Sequence, residues 1–184
     1  MWKVSWSHPG FGSLLASCGF DKKIIIWKES SPNKWDKIYE YNEHKNSVNT
    51  ICFAPFEYGL ILLGGSSDGN ISIHEYKNEV WTGFQFFGHG FGVNSLSWAP
   101  PLNASPQENT LGISSDKPLI RFVSCGMDNF IRIWHCPNNM VKSCFAAVNL
   151  GGQEDCVRTV AWRPNLNYAL DTIASGGDVF VFLT

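Results

Sequence analysis

Histidine, serine and aspartate side chains occur in this chain in a combination that could support nucleophilic catalysis. The fullest set is His89, Ser124 and Asp128, which Trp134 follows. A Ser-His-Asp nucleophile needs one exposed hydroxyl that a neighbouring base activates. Comparable sets of these residues recur along the chain. Recurrence is typical of a repeated structural unit and not of a single active site. We therefore expect no catalytic residues and no enzymatic activity.

The cysteines and glycines do not show the spacing of a metal or phosphate site. His135 and Cys136 are adjacent, but Cys144 and Cys156 follow without the spacing of a tetrahedral zinc site. The glycines of "GHGFG", residues 88–92, lack the spacing of a phosphate-binding loop. We expect no metal and no cofactor.

The six cysteines include no C-x-x-C pair, and the N-terminus "MWKVSWSHPG" lacks the layout of a signal peptide. We therefore expect all six thiols to be reduced, as in a cytosolic or nuclear protein. These cysteines are Cys18, Cys52, Cys125, Cys136, Cys144 and Cys156.

The charge and hydropathy of the 184 residues exclude several classes of partner. Fourteen basic and sixteen acidic residues give a net charge of −2, so electrostatics offers no argument for nucleic acid or an anionic membrane surface. No apolar run approaches the roughly 18 residues that a membrane span needs. We expect neither nucleic-acid binding nor direct membrane insertion.

One nine-residue phrase occurs three times, and it predicts a strand. Such strands must position the histidine, serine and aspartate side chains described above. It reads "SVNTICFAP" at 47–55, "GVNSLSWAP" at 92–100 and "CVRTVAWRP" at 156–164. Each copy follows Val-x-x-apolar-x-aromatic-x-Pro, in which a short apolar strand ends at a proline.

A second phrase occurs four times, three of them after a copy of the nine-residue phrase, and it predicts a turn and a further strand. It reads "DKKIIIW" from Asp21, "DGNISIH" from Asp68, "DNFIRIW" from Asp128 and "DVFVFLT" from Asp178. An apolar stretch precedes each aspartate, and the period-two alternation after it is typical of strands. A fourth strand per unit is predicted at 35–41, 80–87 and 141–150.

Four strands in each unit of about 40 to 45 residues, with Gly-His before the unit and Trp near its end, indicate a WD-repeat β-propeller. We predict an all-β fold: an open propeller over 1–184, with about four blades of an expected six. The units lie near 1–42, 43–87, 88–150 and 151–184. The polar segment 101–118 is expected to be a mobile surface loop inserted in the third unit.

In WD-repeat proteins a histidine before the first strand, a serine or threonine on the second, the turn aspartate and the third-strand tryptophan are hydrogen-bonded. The resemblance places such a structural network in the first three units. Its expected members are Ser17, Asp21 and Trp27, then His44 and Asp68, then His89, Ser124, Asp128 and Trp134.

Two units depart from this pattern. The second has Gly64 and His74 where the third has its serine and tryptophan, and the fourth has Gln153 and Ala174 where the third has its histidine and serine. We therefore expect the third network to be the best determined. His74 is expected to tolerate substitution better than Trp134.

Beyond the repeat pattern, the chain resembles the Sec-thirteen family. The resemblance rests on "HPGFGSLLASC", on "APFEYGLILL" and on "GVNSLSWAP", and it continues through "CVRTVAWRP". It implies a non-catalytic structural scaffold: the outer-cage subunit of COPII vesicle coats in ER-to-Golgi transport, and a component of the nuclear pore Y-complex. It also implies a cytoplasmic location, peripheral on ER membranes and COPII vesicles, and a second location at the nuclear pore.

The same resemblance implies the partners and how they bind. Members of the family leave their six-bladed ring open, and a larger helical-solenoid partner adds a strand-rich segment that completes it. The partner is a Sec-thirty-one type subunit in the coat and a nucleoporin at the pore. Two other readings remain open: a Seh-type nucleoporin propeller with the pore role alone, and a peptide-reading WD-repeat adaptor.

Overall fold

The computed structural model describes residues 1–101, 119–136, 144–152, 154–164, 171–177 and 181–183. In this part of the chain the strands form four antiparallel sheets, and within each sheet they follow one another in chain order. The prediction of an all-β fold is confirmed. Apart from Pro101, the predicted loop 101–118 lies outside the described residues.

The first three sheets have four strands each, and three strands of the fourth are described. The first sheet contains β1 (Lys3–Trp6), β2 (Leu14–Cys18), β3 (Ile24–Ser31) and β4 (Lys34–Tyr41). The second contains β5 (Val48–Phe53), β6 (Ile61–Ser66), β7 (Asn70–Lys77) and β8 (Val80–Phe87). The third contains β9 (Val93–Trp98), β10 (Ile120–Gly126), β11 (Phe130–Cys136) and β12 (Phe145–Gly152). The fourth contains β13 (Val157–Trp162), β14 (Ile173–Gly177) and β15 (Val181–Leu183).

The turns between the second and third strands of the first three sheets share one backbone conformation. The residue after the turn aspartate has a positive φ in each: 67° at Lys22, 88° at Gly69 and 66° at Asn129. Glycine and asparagine adopt this left-handed conformation at little cost, which explains their place in tight hairpins. The aspartate also accepts a backbone N–H two residues on, from Asn70 at 2.9 Å and from Phe130 at 3.3 Å.

Consecutive sheets pack face to face, so the core consists of three apolar layers between four sheets. Ile24 and Ile26 of the first sheet meet Ile51 of the second. Leu63 and Ile73 of the second meet a larger cluster from the third, which includes Leu96, Phe122 and Trp134. Val123 and Ile131 of the third meet Val157, Val160 and Trp162 of the fourth. Each layer excludes water from two pleated surfaces, which is the main stabilising term in such an array.

Candidate functional site

The third sheet brings His89, Ser124, Asp128 and Trp134 into one hydrogen-bonded chain. His89 lies before β9, and its Nδ1 is 2.7 Å from Asp128 Oδ1 while its Nε2 is 2.7 Å from Ser124 Oγ. The Trp134 indole donates to the same hydroxyl at 2.8 Å. Arg132 Nη1 lies 2.7 Å from Asp128 Oδ2 and 2.6 Å from His89 Nδ1. The network therefore ties the connection before β9 to β10, β11 and the turn between them.

The charges of this network favour a neutral histidine beside an ionised carboxylate. Burial lowers the pKa of His89, although hydrogen bonding and attraction to Asp128 oppose the shift. Burial would raise the pKa of Asp128, but hydrogen bonds from Arg132, His89 and the Gly90 amide outweigh it and lower the pKa to about 2. Because Ser124 accepts the indole N–H, its own O–H can donate to His89 Nε2. The ring proton then lies on Nδ1 and is donated to Asp128, so the Arg132 N–H, although 2.6 Å from Nδ1, donates to Asp128 Oδ2 and not to the ring.

The contacts of a Ser-His-Asp triad are present here, but the access that a triad requires is not. His89 and Ser124 are fully buried, and so are Ser72 and His74 in the second sheet. A nucleophilic hydroxyl has to reach a substrate carbonyl, and these hydroxyls face only protein. The arrangement can hold strands together; it has no exposed nucleophile.

The second sheet builds its network with a serine that sequence comparison missed. His44 Nδ1 lies 3.1 Å from Asp68 Oδ2, and His44 Nε2 lies 2.9 Å from Ser72 Oγ. Ser72 lies on β7 directly opposite Gly64 on β6, so the hydroxyl comes from the neighbouring strand. A Cβ on Gly64 would lie 2.6 Å from Ser72 Oγ, which is why a glycine is needed there. The sequence does carry a signal for this change of strand: position 64 is glycine where the third unit has serine, and Ser72 lies two residues before His74.

His74 extends this second network across the boundary between two sheets. Its Nε2 lies 3.0 Å from Ser72 Oγ, and its Nδ1 lies 3.1 Å from the hydroxyl of Tyr39 on β4 of the first sheet. The ring is fully buried and also packs edge-on against Tyr41 at 4.6 Å. Both ring nitrogens have partners, so the structure removes the reason for expecting His74 to be tolerant of substitution.

We expect His74 to make the stability of the protein fall in mild acid. Burial lowers the pKa of His74 to about 3, from an ordinary value of 6.5. Between these values the unfolded ring binds a proton and the folded ring does not, so acidification favours unfolding. From pH 7 to 5.5 the loss from this one group is about 1 kcal/mol. Urea unfolding at the two pH values measures it.

His74→Leu is the matched variant, because it keeps a buried side chain of similar size without a titrating ring. His44 and His89 remain in the variant, so the difference between the two pH dependences reports the titration of His74 together with its coupling to His44. The variant should lose about 1 kcal/mol less than the wild type over this pH range. Equal losses would show that His74 is not held neutral.

The first and fourth sheets hold partial networks. Trp27 donates its indole N–H to Ser17 Oγ at 2.9 Å, while Asp21 lies exposed at the β2–β3 turn. In the fourth sheet Ser175 is buried and Ala174 half-buried. Gln153 and Asp178, at the histidine and aspartate positions of the fourth unit, lie outside the described residues. The role of all these residues as a stabilising scaffold stays a prediction.

Asparagines on the inner strands join successive sheets, a role that sequence analysis missed. Asn49 Nδ2 donates to the Val93 carbonyl at 2.9 Å, and Asn94 Nδ2 donates to the Val157 carbonyl at 2.8 Å. Both follow the valine that opens the repeated phrase. The repeat of that Val-Asn pair in two units was the available signal. The fourth unit has Arg158 at this position.

The expectation that all six cysteines are reduced is wrong for one pair. Cys136 and Cys144 form a disulfide between β11 and the residue before β12. Sequence spacing alone did not pair them, because their proximity follows from the register of the two strands. Cys18, Cys52, Cys125 and Cys156 are free thiols. Among the described residues no three His, Cys, Asp or Glu side chains come together as a metal site.

One side of the first sheet is apolar and open to solvent. Along β1, Lys3 and Ser5 contact the second sheet, and Val4 and Trp6 alternate with them on the other side. Val4 is 48% and Trp6 61% exposed. We call this side the uncovered face. Its members are Val4, Trp6, Leu15, Ile25 and Trp27, which share strand register, and Trp35, whose ring lies 5.6 Å from that of Trp6.

In the later units of the repeat, the corresponding face is covered by the preceding sheet. Ile51, Leu96 and Val160 occupy the position of Val4 in the second, third and fourth units. Each is at most 4% exposed, because it packs against the sheet before it. A contiguous exposed apolar patch on a folded protein often marks an interaction surface.

The model of one protein family matches most of the chain. It is described as "WD domain, G-beta repeat", and it matches residues 2–28, 35–75 and 81–135. These ranges contain most of each strand of the first two sheets and most of the third sheet. In the described part of the chain no helix is long and apolar enough to cross a membrane.

Several curated proteins are similar to almost the whole chain. It is 39% identical over 178 residues to "Protein SEC13 homolog" of Drosophila melanogaster, an alignment that covers 95% of this chain and 49% of the fly protein. It is 39% identical over 175 residues to "Protein transport protein sec13" of Emericella nidulans, with 90% and 55% covered. It is 38% identical over 194 residues to "Protein transport protein SEC13" of Cryptococcus neoformans, with 95% and 57% covered. The chain thus spans about half the length of the curated relatives that it matches.

Proposed function

Because the chain belongs to the WD-repeat family, in its Sec-thirteen group, we propose that it is part of a non-catalytic scaffold of the COPII vesicle coat. Its four described sheets are then blades of an incomplete β-propeller. The proposed role is structural: the propeller supports the outer cage of vesicles that carry proteins from the ER to the Golgi.

The observation that carries this proposal is the extent of the similarity. Proteins whose names state a role in protein transport align with 90% or more of the chain at 38–39% identity. The loops "HPGFG" and "PFEYG", which carry the family resemblance, pack against each other in this structure, with His8 and Phe11 on Phe56.

The proposed partner is a long helical-solenoid coat subunit of the Sec-thirty-one type. It would add a strand-rich segment to the open ring, so that the ring is closed by pairing and packing between two chains. The uncovered face supports this, since it shows that blades of this chain have apolar sides that need a neighbouring sheet. We propose no particular residue of the described part of the chain as a contact with this partner.

The buried hydroxyls support the absence of catalysis in this proposal. Among the described residues, the serine hydroxyls of Ser72 and Ser124 lie within hydrogen-bond distance of a histidine ring, and both are fully buried. We propose that Ser124→Ala lowers stability without removing any turnover. A measurable activity that is lost in Ser124→Ala, with the fold intact by circular dichroism, would contradict the scaffold role.

The proposed location is the cytoplasm, on the surface of ER membranes and vesicles. The family resemblance also suggests a second role in the nuclear pore, with Y-complex nucleoporins as partners. The relatives from Emericella nidulans and Cryptococcus neoformans are named as protein transport proteins, which favours the coat over a Seh-type pore role or a peptide-reading adaptor.

Affinity purification of the intact protein from its own cells tests the proposal. We expect a long helical coat subunit to be recovered in near-equal amount and to be identified by mass spectrometry. A WD-repeat protein that reads modified peptides, carrying the same tag, is the control and should not recover this subunit.

The other outcomes of this purification are specific. Nucleoporins without a coat subunit would replace the coat proposal with the pore role. Modified peptides or ubiquitin-ligase subunits alone would support the adaptor reading. Either result would overturn the assignment to the coat.

A further inference from the structure

The two cysteines of the third sheet are placed together by strand register. β11 pairs antiparallel with β12, and His135 lies opposite Phe145. The next pair along the hairpin is therefore Cys136 and Cys144, whose Cα atoms are 4.0 Å apart and whose sulfurs are bonded. Side chains opposite each other in an antiparallel pair point to the same side of the sheet. The two sulfurs therefore meet whenever this hairpin is formed.

The two sulfurs differ in how easily a reagent can reach them. Cys136 is fully buried in the cluster between the second and third sheets, where Ile120, Phe122 and Trp134 also lie. Cys144 is half-buried at the start of β12 and packs against the edge of that cluster. A small reagent therefore reaches Cys144 first, and Cys136 can react only with the sulfur beside it.

Most of the remaining cysteines are poor competitors for oxidation. Burial raises the pKa of Cys18 to about 11 and the pKa values of Cys52 and Cys125 to about 12. Because the thiolate is the reactive form, these three thiols are nearly inert at neutral pH. Cys156 is half-buried before β13 and, like the other three, remains a free thiol in this structure. Cys156 therefore serves as the matched control for Cys144.

We propose that Cys136 and Cys144 are a reversible redox pair that reacts with low-molecular-weight disulfides such as glutathione disulfide. The structure shows the closed, disulfide form. In a reducing compartment, which is where the proposed function places the protein, the pair opens to two thiols. It closes to a disulfide when the compartment becomes more oxidising. This inference concerns the third sheet itself and holds whatever partner the protein binds.

The exchange balances in two steps. The Cys144 thiolate attacks one sulfur of glutathione disulfide, so that a mixed disulfide forms and one glutathione thiolate leaves. The Cys136 thiol then loses its proton to solvent, and its sulfur attacks the Cys144 sulfur, which releases the second glutathione. The protein loses two electrons and two protons, and glutathione disulfide becomes two molecules of glutathione.

The closed disulfide should strengthen the outer half of the third sheet. It links two residues eight apart in sequence, so it removes freedom from the unfolded chain around the β11–β12 connection. It also fixes the start of β12 to Cys136, which is already held in the core between two sheets. Oxidation is therefore expected to stabilise this sheet, and reduction to loosen β12 first.

The test equilibrates the intact protein in glutathione buffers from strongly reducing to strongly oxidising, then blocks free thiols with iodoacetamide. Peptide mass spectrometry measures the fraction of Cys136 linked to Cys144. We expect this fraction to rise from near zero to near one across the series, and to fall again on return to reduced glutathione. The melting temperature of the oxidised protein should exceed that of the reduced protein by at least about 4 °C.

Two variants separate the pair from general oxidation. Cys156→Ser should keep both the linked peptide and the redox-dependent melting temperature. Cys144→Ser should lose both and melt like the reduced wild type. If Cys144→Ser does not fold, the comparison of oxidised and reduced wild type still tests whether the disulfide forms reversibly and raises the melting temperature.

Three results would overturn the proposal. The first is a Cys136–Cys144 link that is absent at every glutathione ratio. The second is a link that reduced glutathione does not open. The third is an oxidised protein that melts at the same temperature as the reduced one.

Discussion

Replacing Trp134 by alanine should lower the free energy of unfolding by about 3–5 kcal/mol. Trp134 is 5% exposed, and its ring packs edge-on against Phe86 at 4.9 Å and stacks on Phe122 at 6.0 Å. Truncation would leave a cavity between the second and third sheets. It would also remove the indole N–H that Ser124 accepts, so a buried hydroxyl loses a partner.

Trp81→Ala is the matched control for this loss. Trp81 lies half-buried on the outer strand β8, where its ring stacks on that of Tyr39 at 5.6 Å. The same truncation there opens a site that water can fill, so we expect a loss of less than half that at Trp134. Urea unfolding of the two variants in the intact protein gives both values. Equal losses would mean that the buried network adds little to the stability of the third sheet.

The uncovered face of the first sheet is expected to cause self-association of the chain. The 184 residues alone should self-associate, because Val4 and Trp6 expose apolar surface, whereas the equivalents of Val4 in the later sheets are buried. Association through such a face removes apolar area from water, and an edge strand such as β1 can add main-chain pairing. Trp6→Glu should weaken self-association, because it places a charge in the middle of this face.

Phe91→Glu is the control for that variant. Phe91 is 75% exposed, but it lies in the connection between β8 and β9 and not on the uncovered face. Removing it should leave the degree of association unchanged. If both variants reduce association alike, general surface hydrophobicity and not this face is responsible.

The sequence predicted the strands well because the repeated phrases carry local information. β8 runs over the predicted residues 80–87, and β4 begins one residue before the predicted 35–41. The third outer strand was predicted at 141–150 and is observed at Phe145–Gly152, with 141–143 outside the described residues. Period-two alternation and turn aspartates need only neighbours in sequence to be read.

The parts that the sequence did not predict all depend on contacts across strands or sheets. Ser72 replaces a serine at Gly64 because the two positions are opposite each other in the register of β6 and β7. Tyr39 reaches His74 only because the first sheet packs on the second. The Cys136–Cys144 bond likewise follows from pairing of β11 with β12. Such relations become visible only once register and packing are known.

If the four sheets are blades of an open propeller, the uncovered face of the first sheet needs another sheet against it. Size-exclusion chromatography with light scattering on the 184-residue chain alone shows whether it does. We predict species well above 20.6 kDa, a shift toward smaller species in Trp6→Glu, and a monodisperse complex when the full-length protein is produced with the proposed coat subunit. A stable, soluble monomer of 20.6 kDa, purified with no partner, would contradict the claim.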